Sequence, residues 1–314
     1  MNLNSESLKS VANLDVQVAT IAYCWGIDLA MKRIAKAATA DTLQATHRWS
    51  PKPEARRWDP LELVRRRDAL LVQTYPGLER VEVIDKLGDV TTNRLALGHH
   101  GTVEPNAQAG NARILDFTCP FIANSDNRAR MLVEAGYDLI LFGKPGNHHC
   151  EFAKSSAEAA GRVGVIGEMV SELHAQLQAP GRNWACLGQV TANVALWTAF
   201  MNDLNALKMP IHIVDTVCSD SHDRQAEGLL LAQRCDVVIL VNDHGGSTLS
   251  MFETCHAANP NTFRFDPMAG KELNPDWFEE ANSVAVVGGI HVPKWILDEV
   301  GARVSRLHGK ELCQ

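Results

Sequence analysis

Short apolar runs alternate with longer amphipathic stretches from about residue 18 to the end of the chain. The runs DLILFG (138–143), DVVILVN (236–242) and SVAVVGG (283–289) have the length and the branched aliphatic content of buried strands. The stretch SDNRARMLVEAG (125–136) starts on polar residues and stops on a glycine, as a capped helix does. This alternation predicts an α/β fold with mostly parallel sheets that helices cover on both faces.

Three of the predicted strands end at a cysteine that a predicted helix follows. They are VATIAYC (18–24), RILDFTCP (113–120) and IHIVDTVC (211–218), which carry Cys24, Cys119 and Cys218. The repeat predicts an N-terminal extension (1–17) and three related α/β units (18–112, 113–210 and 211–314, the last with a C-terminal return). Ligands in parallel α/β folds gather at the carboxyl ends of strands. We therefore expect the three thiols to contribute to one shared centre.

The position of these cysteines suits an iron–sulfur cluster. A thiolate at a helix N-terminus is stabilised by the helix dipole and by free backbone amides, and cysteine sulfur is the usual cluster ligand. Three cysteines would leave one iron of a cubane without a cysteine ligand, available to activate a substrate oxygen. A zinc site is disfavoured, because the chain has no C-x-x-C pair. Spacing alone leaves open that these are structural thiols at strand ends.

Charge and composition narrow the class of protein. The formal net charge is −7, so a global basic surface for nucleic acid is absent. The sequence has no run of 18 apolar residues, and its polar N-terminus lacks the apolar core of a signal peptide. We expect a cytoplasmic protein that acts on a small molecule, with neither nucleic acid nor membrane as a partner.

Six motifs resemble those of the IspH/LytB family, the 4-hydroxy-3-methylbut-2-enyl diphosphate reductases of isoprenoid biosynthesis. The most specific are DFTCPF and DTVCSDSHDRQ, which surround two of the three cysteines. All six follow the family's order over roughly residues 20–300. The other four are AYCWGIDLAMKRIAKA, LGHHGTVEPN, LGQVTANVALW and GGIHVPKWIL.

The resemblance implies a trefoil-like arrangement of three α/β units around a central [4Fe–4S] cluster. Its ligands by position are Cys24, Cys119 and Cys218, and one iron has no cysteine ligand. Members of the family remove a hydroxyl from an allylic diphosphate with two electrons and two protons. The implied electron donor is a ferredoxin or a flavodoxin, and the implied class is an iron–sulfur oxidoreductase of the reductive dehydroxylase type.

The diphosphate pocket of the family is largely rewritten in this chain. A diphosphate-binding histidine of the family falls on Asn147, and the family's S-S-N stretch falls on Gly246, Ser247 and Thr248. The serine of its GASAP motif falls on His291. We therefore expect a reductase whose substrate differs from the usual diphosphate. Two alternatives stay open, namely the genuine diphosphate reductase and a non-catalytic iron–sulfur sensor.

The proton that the leaving hydroxyl needs must come from an acid within hydrogen-bond reach. His149 falls on the family's proton-relay glutamate, and histidine titrates near neutrality. Glu151 takes that role if the loop is shifted by two residues, and His291 is a third candidate from the opposite wall. The other catalytic candidate is Thr191, which matches the family. The candidates for substrate binding are His47, His100, Asn147, Ser247, Thr248 and His291.

Overall fold

The structure, a computed structural model, describes residues 14–38, 42–46, 58–85, 89–97 and 111–310. Within them the strands form three four-stranded sheets in which every pairing is parallel. This arrangement confirms the predicted fold of three α/β units with parallel sheets. In the described parts of the chain, no helix combines the length and the apolar content that a membrane span requires.

The strands of each sheet come from one part of the chain, with one exception. The strands are β1 (Asp15–Val18), β2 (Leu43–Thr46), β3 (Val81–Val83), β4 (Arg94–Leu97), β5 (Arg113–Asp116), β6 (Asp138–Phe142), β7 (Gly164–Gly167), β8 (Trp184–Gly188), β9 (Ile211–Val214), β10 (Val237–Val241), β11 (Thr262–Phe265) and β12 (Ser283–Gly288). The first sheet has the order β3-β2-β4-β5, the second β7-β6-β8-β9 and the third β1-β12-β10-β11. The exception is β1, which lies at the edge of the third sheet beside β12.

Helices connect the strands and cover the sheets. They are α1 (Trp25–Ala37), α2 (Pro60–Arg65), α3 (Ala69–Thr74), α4 (Pro120–Glu134), α5 (His148–Ala159), α6 (Val170–Leu177), α7 (Val194–Ala206), α8 (Ser219–Arg234), α9 (Gly246–Ala258) and α10 (Lys294–Lys310), with single 3-10 turns at Leu78–Arg80, Pro267–Ala269 and Pro275–Phe278. The sequence spacing explains their packing. In α1, for example, Ile27, Met31 and Ile34 recur on one face and are fully buried.

The first strand, β1, is shorter than the strand predicted at residues 18–24 and lies earlier in the chain. Residues 15–18 pair with β12, although 15–17 were expected to belong to the N-terminal extension. The backbone N–H groups of Thr20 and Ile21 donate to the carboxylate of Glu227 instead of to a strand. Cys24 lies beyond the strand as the N-cap of α1.

The strands that precede Cys119 and Cys218 each complete the sheet before them. β5 pairs with β4 in the first sheet, and β9 pairs with β8 in the second. Each cysteine then opens the helix that leads into the next sheet. The division of the chain at 112/113 and 210/211 stays a prediction, while the hydrogen bonding places both cysteines at the junctions between sheets.

Candidate metal centre and substrate cavity

Cys24, Cys119 and Cys218 line one cavity of about 170 Å³, which we call the cysteine cavity. Each is the N-cap of a helix, of α1, α4 and α8 respectively. All three are buried. Apolar side chains also line the cavity, including Ile122, Val190 and Ile290. The structure thus brings together the three thiols that the sequence motifs singled out.

Burial dominates the protonation of these thiols. It raises the pKa of Cys218 to about 11 and the pKa of Cys24 further. Backbone N–H groups at the helix starts act in the opposite direction but do not offset burial; for Cys24 the donor is Ile27 N, 3.4 Å from Sγ. The thiols are therefore protonated in the protein alone and would release protons on binding metal.

The donor set fits an iron–sulfur cluster better than a single metal ion. Within the described residues, no three His, Cys, Asp or Glu side chains are grouped to hold one ion. Thiolates of a cubane bind different irons, so their sulfurs need not meet at one ion. Sulfur donors, an apolar enclosure and N–H groups near the sulfurs are the features that such a cluster requires.

Gly26 allows α1 to approach the second cysteine closely. A Cβ at this position would lie 2.5 Å from Cys119 Sγ and 2.9 Å from its Cβ. Real Cβ atoms do not come this close to other atoms, so only glycine leaves Cys119 where it is. Gly26 lies two residues after Cys24 and was not among the residues predicted for the site.

One wall of the cavity is the start of α5. Asn147 is its N-cap, and the side-chain oxygen accepts from the backbone N–H groups of His149 and Cys150. The rings of His148 and His149 lie 3.8 Å apart, and both line the cavity. Burial, and then the charge of His148, lowers the pKa of His149 to about 3. In the protein alone His149 is therefore neutral, in contrast to the imidazolium expected from the sequence.

Glu151 does not line the cavity. Its carboxylate accepts from the backbone N–H of Gly146 at 2.9 Å, which satisfies a free amide at the start of the same helix. This geometry does not support a shift of the loop alignment by two residues.

A second wall comes from the loop after β8. Thr191 lines the cavity as predicted, and its hydroxyl accepts from Gln189 Nε2 at 3.3 Å. Gln189 lines the same wall, and its side-chain oxygen Oε1 accepts from the backbone N–H of Lys144. Gln189 thereby connects the loop after β8 to the loop after β6.

The third wall is the start of α9. Gly245, Gly246 and Ser247 line it, and Ser247 Oγ has no hydrogen-bond partner among the described residues. Thr248 was predicted to bind substrate, but it does not line the cavity. Its side chain lies on the buried face of α9, where the hydroxyl donates to the carboxylate of Asp243.

Asp243 and His291 form a buried pair behind this wall. Asp243 is fully buried, and His291 Nδ1 lies 3.3 Å from its Oδ2. Burial opposes the charge on both groups, but their mutual hydrogen bond and attraction outweigh it. The pKa of Asp243 is lowered and the pKa of His291 is raised. Asp243 was missed in the sequence; its signal is an acidic residue just beyond the carboxyl end of a fully apolar strand.

His47 and His100, both predicted to bind substrate, lie outside the described residues. The remaining candidates Asn147, His149, Thr191, Ser247 and His291 all line the cysteine cavity. Their roles stay predictions at this point.

Comparison with known proteins agrees with this geometry. A sequence model of the family described as LytB protein matches residues 16–305. The chain belongs to the LytB family. The resemblance noted in the sequence is thus confirmed, and so is the predicted class of iron–sulfur oxidoreductase.

Curated members of the LytB family are similar to the chain over most of their length. A protein of Geobacter metallireducens is 27% identical over 72% of this chain and 79% of its own. One of Anaeromyxobacter sp. (strain Fw109-5) is 24% identical over 94% of this chain and 98% of its own. Both are named 4-hydroxy-3-methylbut-2-enyl diphosphate reductase.

Two solved structures share the fold of the chain. The E-1-hydroxy-2-methyl-but-2-enyl-4-diphosphate reductase of Plasmodium falciparum has a TM-score of 0.71 and 16% identity, covering 92% of this chain and 87% of its own. A structure of (E)-4-hydroxy-3-methyl-but-2-enyl diphosphate reductase has a TM-score of 0.57 and 18% identity, covering 93% of this chain and 99% of its own. At these identities the likeness shows the trefoil-like fold.

Gly26 provides a test of this packing. We expect Gly26→Ala to lower the free energy of unfolding of the metal-free protein by about 1–3 kcal/mol, because the new methyl group overpacks Cys119. Denaturant unfolding followed by circular dichroism measures the change. Gly246→Ala is the control, since a Cβ there meets no atom within 4 Å. Equal stability of the Gly26 variant and the wild type would contradict the close approach.

Proposed function

We propose that this chain is a 4-hydroxy-3-methylbut-2-enyl diphosphate reductase, which replaces the allylic hydroxyl of that substrate with hydrogen. The observation that carries the proposal is that the three motif cysteines line one cavity together with Ser247 and His291. In the reaction a C–O bond breaks and a C–H bond forms. Two electrons and two protons are consumed, and one water molecule is released. The names of the similar proteins support this substrate over the different one expected from the sequence.

Cys24, Cys119 and Cys218 would hold a [4Fe–4S] cluster with one iron free of cysteine. When bound, the cluster supplies the electrons and a Lewis-acid site. The chain itself contributes the enclosure. Ile122, Val190 and Ile290 give the cavity an apolar lining beside the cysteines, and apolar surroundings strengthen electrostatic contacts.

The third wall supports binding of a diphosphate despite its rewritten sequence. A diphosphate carries several negative charges and requires matched donors. The first residues of α9 provide backbone amides at a helix start. Ser247 Oγ is a donor without a partner among the described residues. His291 adds a positive charge where the family motif has a neutral serine, which offsets the loss of other donors.

His149 is the residue we propose as the proton source. Its ring lines the cavity, whereas the carboxylate of Glu151 is bound to its own helix. His149 is neutral in the protein alone. An anion close to an imidazole raises its pKa, so an anionic substrate would favour proton uptake by His149. Thr191, on the adjacent wall, can orient the substrate hydroxyl.

The remaining partners follow from the chemistry. The electrons must come from an external donor, for which we propose a ferredoxin or a flavodoxin. A cytoplasmic location remains our expectation. A sensor without catalysis is disfavoured, because members of the family are enzymes and the cavity carries proton-holding groups that a sensor does not need.

The cluster ligands are tested by iron content. Anaerobically prepared protein should be brown and contain about four irons and four sulfides per chain. We expect Cys24→Ala, Cys119→Ala and Cys218→Ala each to lose the colour. Cys235→Ala is the control, because Cys235 packs in the core of the third unit. A Cys218→Ala protein with a full cluster would refute the assignment.

Turnover tests the substrate. With a reduced viologen dye as electron donor, we expect reduction of 4-hydroxy-3-methylbut-2-enyl diphosphate at roughly 1 per second or faster. Loss of the diphosphate group should abolish turnover, because the third wall then has no anion to bind. Folded, brown protein that leaves the diphosphate unreduced would restore the hypothesis of a different substrate.

The proton source is tested by a pair of variants on the same helix. We expect His149→Ala to slow turnover by about 10²-fold or more while the cluster spectrum stays intact. Glu151→Gln should stay close to wild type, because its carboxylate lies outside the cavity. The opposite result, with only the Glu151 variant impaired, would mean that the glutamate has kept the family role.

A further inference from the structure

Asp243 is a buried carboxylate that belongs to no motif of the sequence. It lies two residues beyond the end of β10 and is fully buried. Its Oδ1 accepts from Gly245 N at 2.8 Å and from the hydroxyl of Thr248. Its Oδ2 accepts from His291 N at 3.1 Å and lies 3.3 Å from His291 Nδ1. The carboxylate therefore joins the loop after β10 to the loop after β12.

These contacts fix the direction of the His291 ring. Both the backbone N–H and Nδ1 of His291 face Asp243, and His291 is among the residues that line the cysteine cavity. Only 13% of the side chain is exposed. Gly289 makes room for the arrangement, because a Cβ there would collide with the Asp243 carboxylate and the Thr248 hydroxyl.

Three charged groups of the described residues act on the imidazole of His291. Asp243 and Asp59, which caps α2, both raise its pKa. Arg224 of α8 opposes them, and its guanidinium is also paired with Asp220 Oδ2 at 3.4 Å. The two carboxylates favour the protonated form of His291.

A buried pair of charges is weak evidence for a role in stability. Taking both ions out of water costs as much as their attraction returns, and apolar residues of similar size often do as well. The family motif has an uncharged serine in place of His291. We therefore expect a charged pair in the wall of a substrate cavity to act in binding the substrate.

We propose that Asp243 is a positioning residue that holds His291 as an imidazolium in the wall of the cysteine cavity, so that His291 binds the diphosphate group of the substrate through a charge-assisted contact. The proposal rests on the proposed function, since it takes its anion from that substrate. Asp243 touches no substrate itself; it acts by orienting His291 and by keeping it charged.

This arrangement makes binding depend on pH in a defined direction. Despite burial, the pKa of His291 is raised in the folded protein by its hydrogen bond to Asp243 and by the charge of that carboxylate, so the imidazolium persists to higher pH than in a free histidine. It is lost as pH rises through that raised pKa, and anion binding weakens with it. Without Asp243 the loss should occur at lower pH, nearer to or below the ordinary histidine value of about 6.5.

The test is calorimetric titration of the anaerobic, cluster-loaded protein with inorganic diphosphate. We expect His291→Gln to weaken binding about tenfold or more at neutral pH, as loss of a charge-assisted contact does. Asp243→Asn should weaken it similarly. His244→Gln is the matched control, because His244 forms an exposed pair with Asp266 in the same unit and does not line the cavity.

The pH profile separates positioning from a general structural role. As pH rises, the affinity of the wild type for diphosphate should fall at a higher pH than the affinity of Asp243→Asn. The affinity of His291→Gln should show no such fall. Titration of diphosphate itself is common to all variants and cancels in their ratios. Should Asp243→Asn fail to fold, His291→Gln still decides the question. Binding by His291→Gln within threefold of wild type would overturn the proposal.

The outcomes distinguish a failure of this proposal from a failure of the proposed function. If the variants behave as expected but the allylic diphosphate is not reduced, the anion site stands and the proposed reaction fails. If the wild type reduces the substrate and His291→Gln binds diphosphate like the wild type, only the role of the Asp243–His291 pair is refuted.

Discussion

The structure depends on three helix N-termini that converge on one small volume. Parallel strands bring the helices that follow them to the same edge of each sheet, and three sheets bring three such helices together. A cysteine caps each helix, so the three sulfurs line one cavity beside backbone N–H groups and apolar side chains. The convergence tolerates little change, because α1 approaches Cys119 so closely that only glycine fits at residue 26.

Much of the fold was predictable because buried parallel strands are apolar without interruption. β6, β8 and β10 are buried at every position, and their patterns stand out in the sequence. The first strand was placed too late because its extent depends on remote partners. β12 pairs with residues 15–18 of the first strand, and the backbone N–H groups of Thr20 and Ile21 donate to Glu227 instead. A local pattern of apolar and polar residues cannot indicate a hydrogen-bond partner that lies about two hundred residues away in the sequence.

The site was predictable in its positions but less so in the directions of its side chains. Motif order identified Cys24, Cys119 and Cys218 correctly as neighbours in one cavity. It could not show that Thr248 turns into the core, because that direction is set by a carboxylate absent from every motif. Nor could it show that burial keeps His149 neutral, since burial depends on the whole fold and its sequence neighbour His148 lowers the pKa to a smaller extent.

The pairing of β1 with β12 has a consequence for biosynthesis of the protein. Cys24 lies near the beginning of the chain, yet its backbone N–H donates to the carbonyl of Ile290, near the end. Contacts between such distant residues form late, because a long loop must close before they stabilise anything. The hydrogen bond that fixes the backbone at Cys24 can therefore form only after residues 283–290 have been synthesised and have paired with β1.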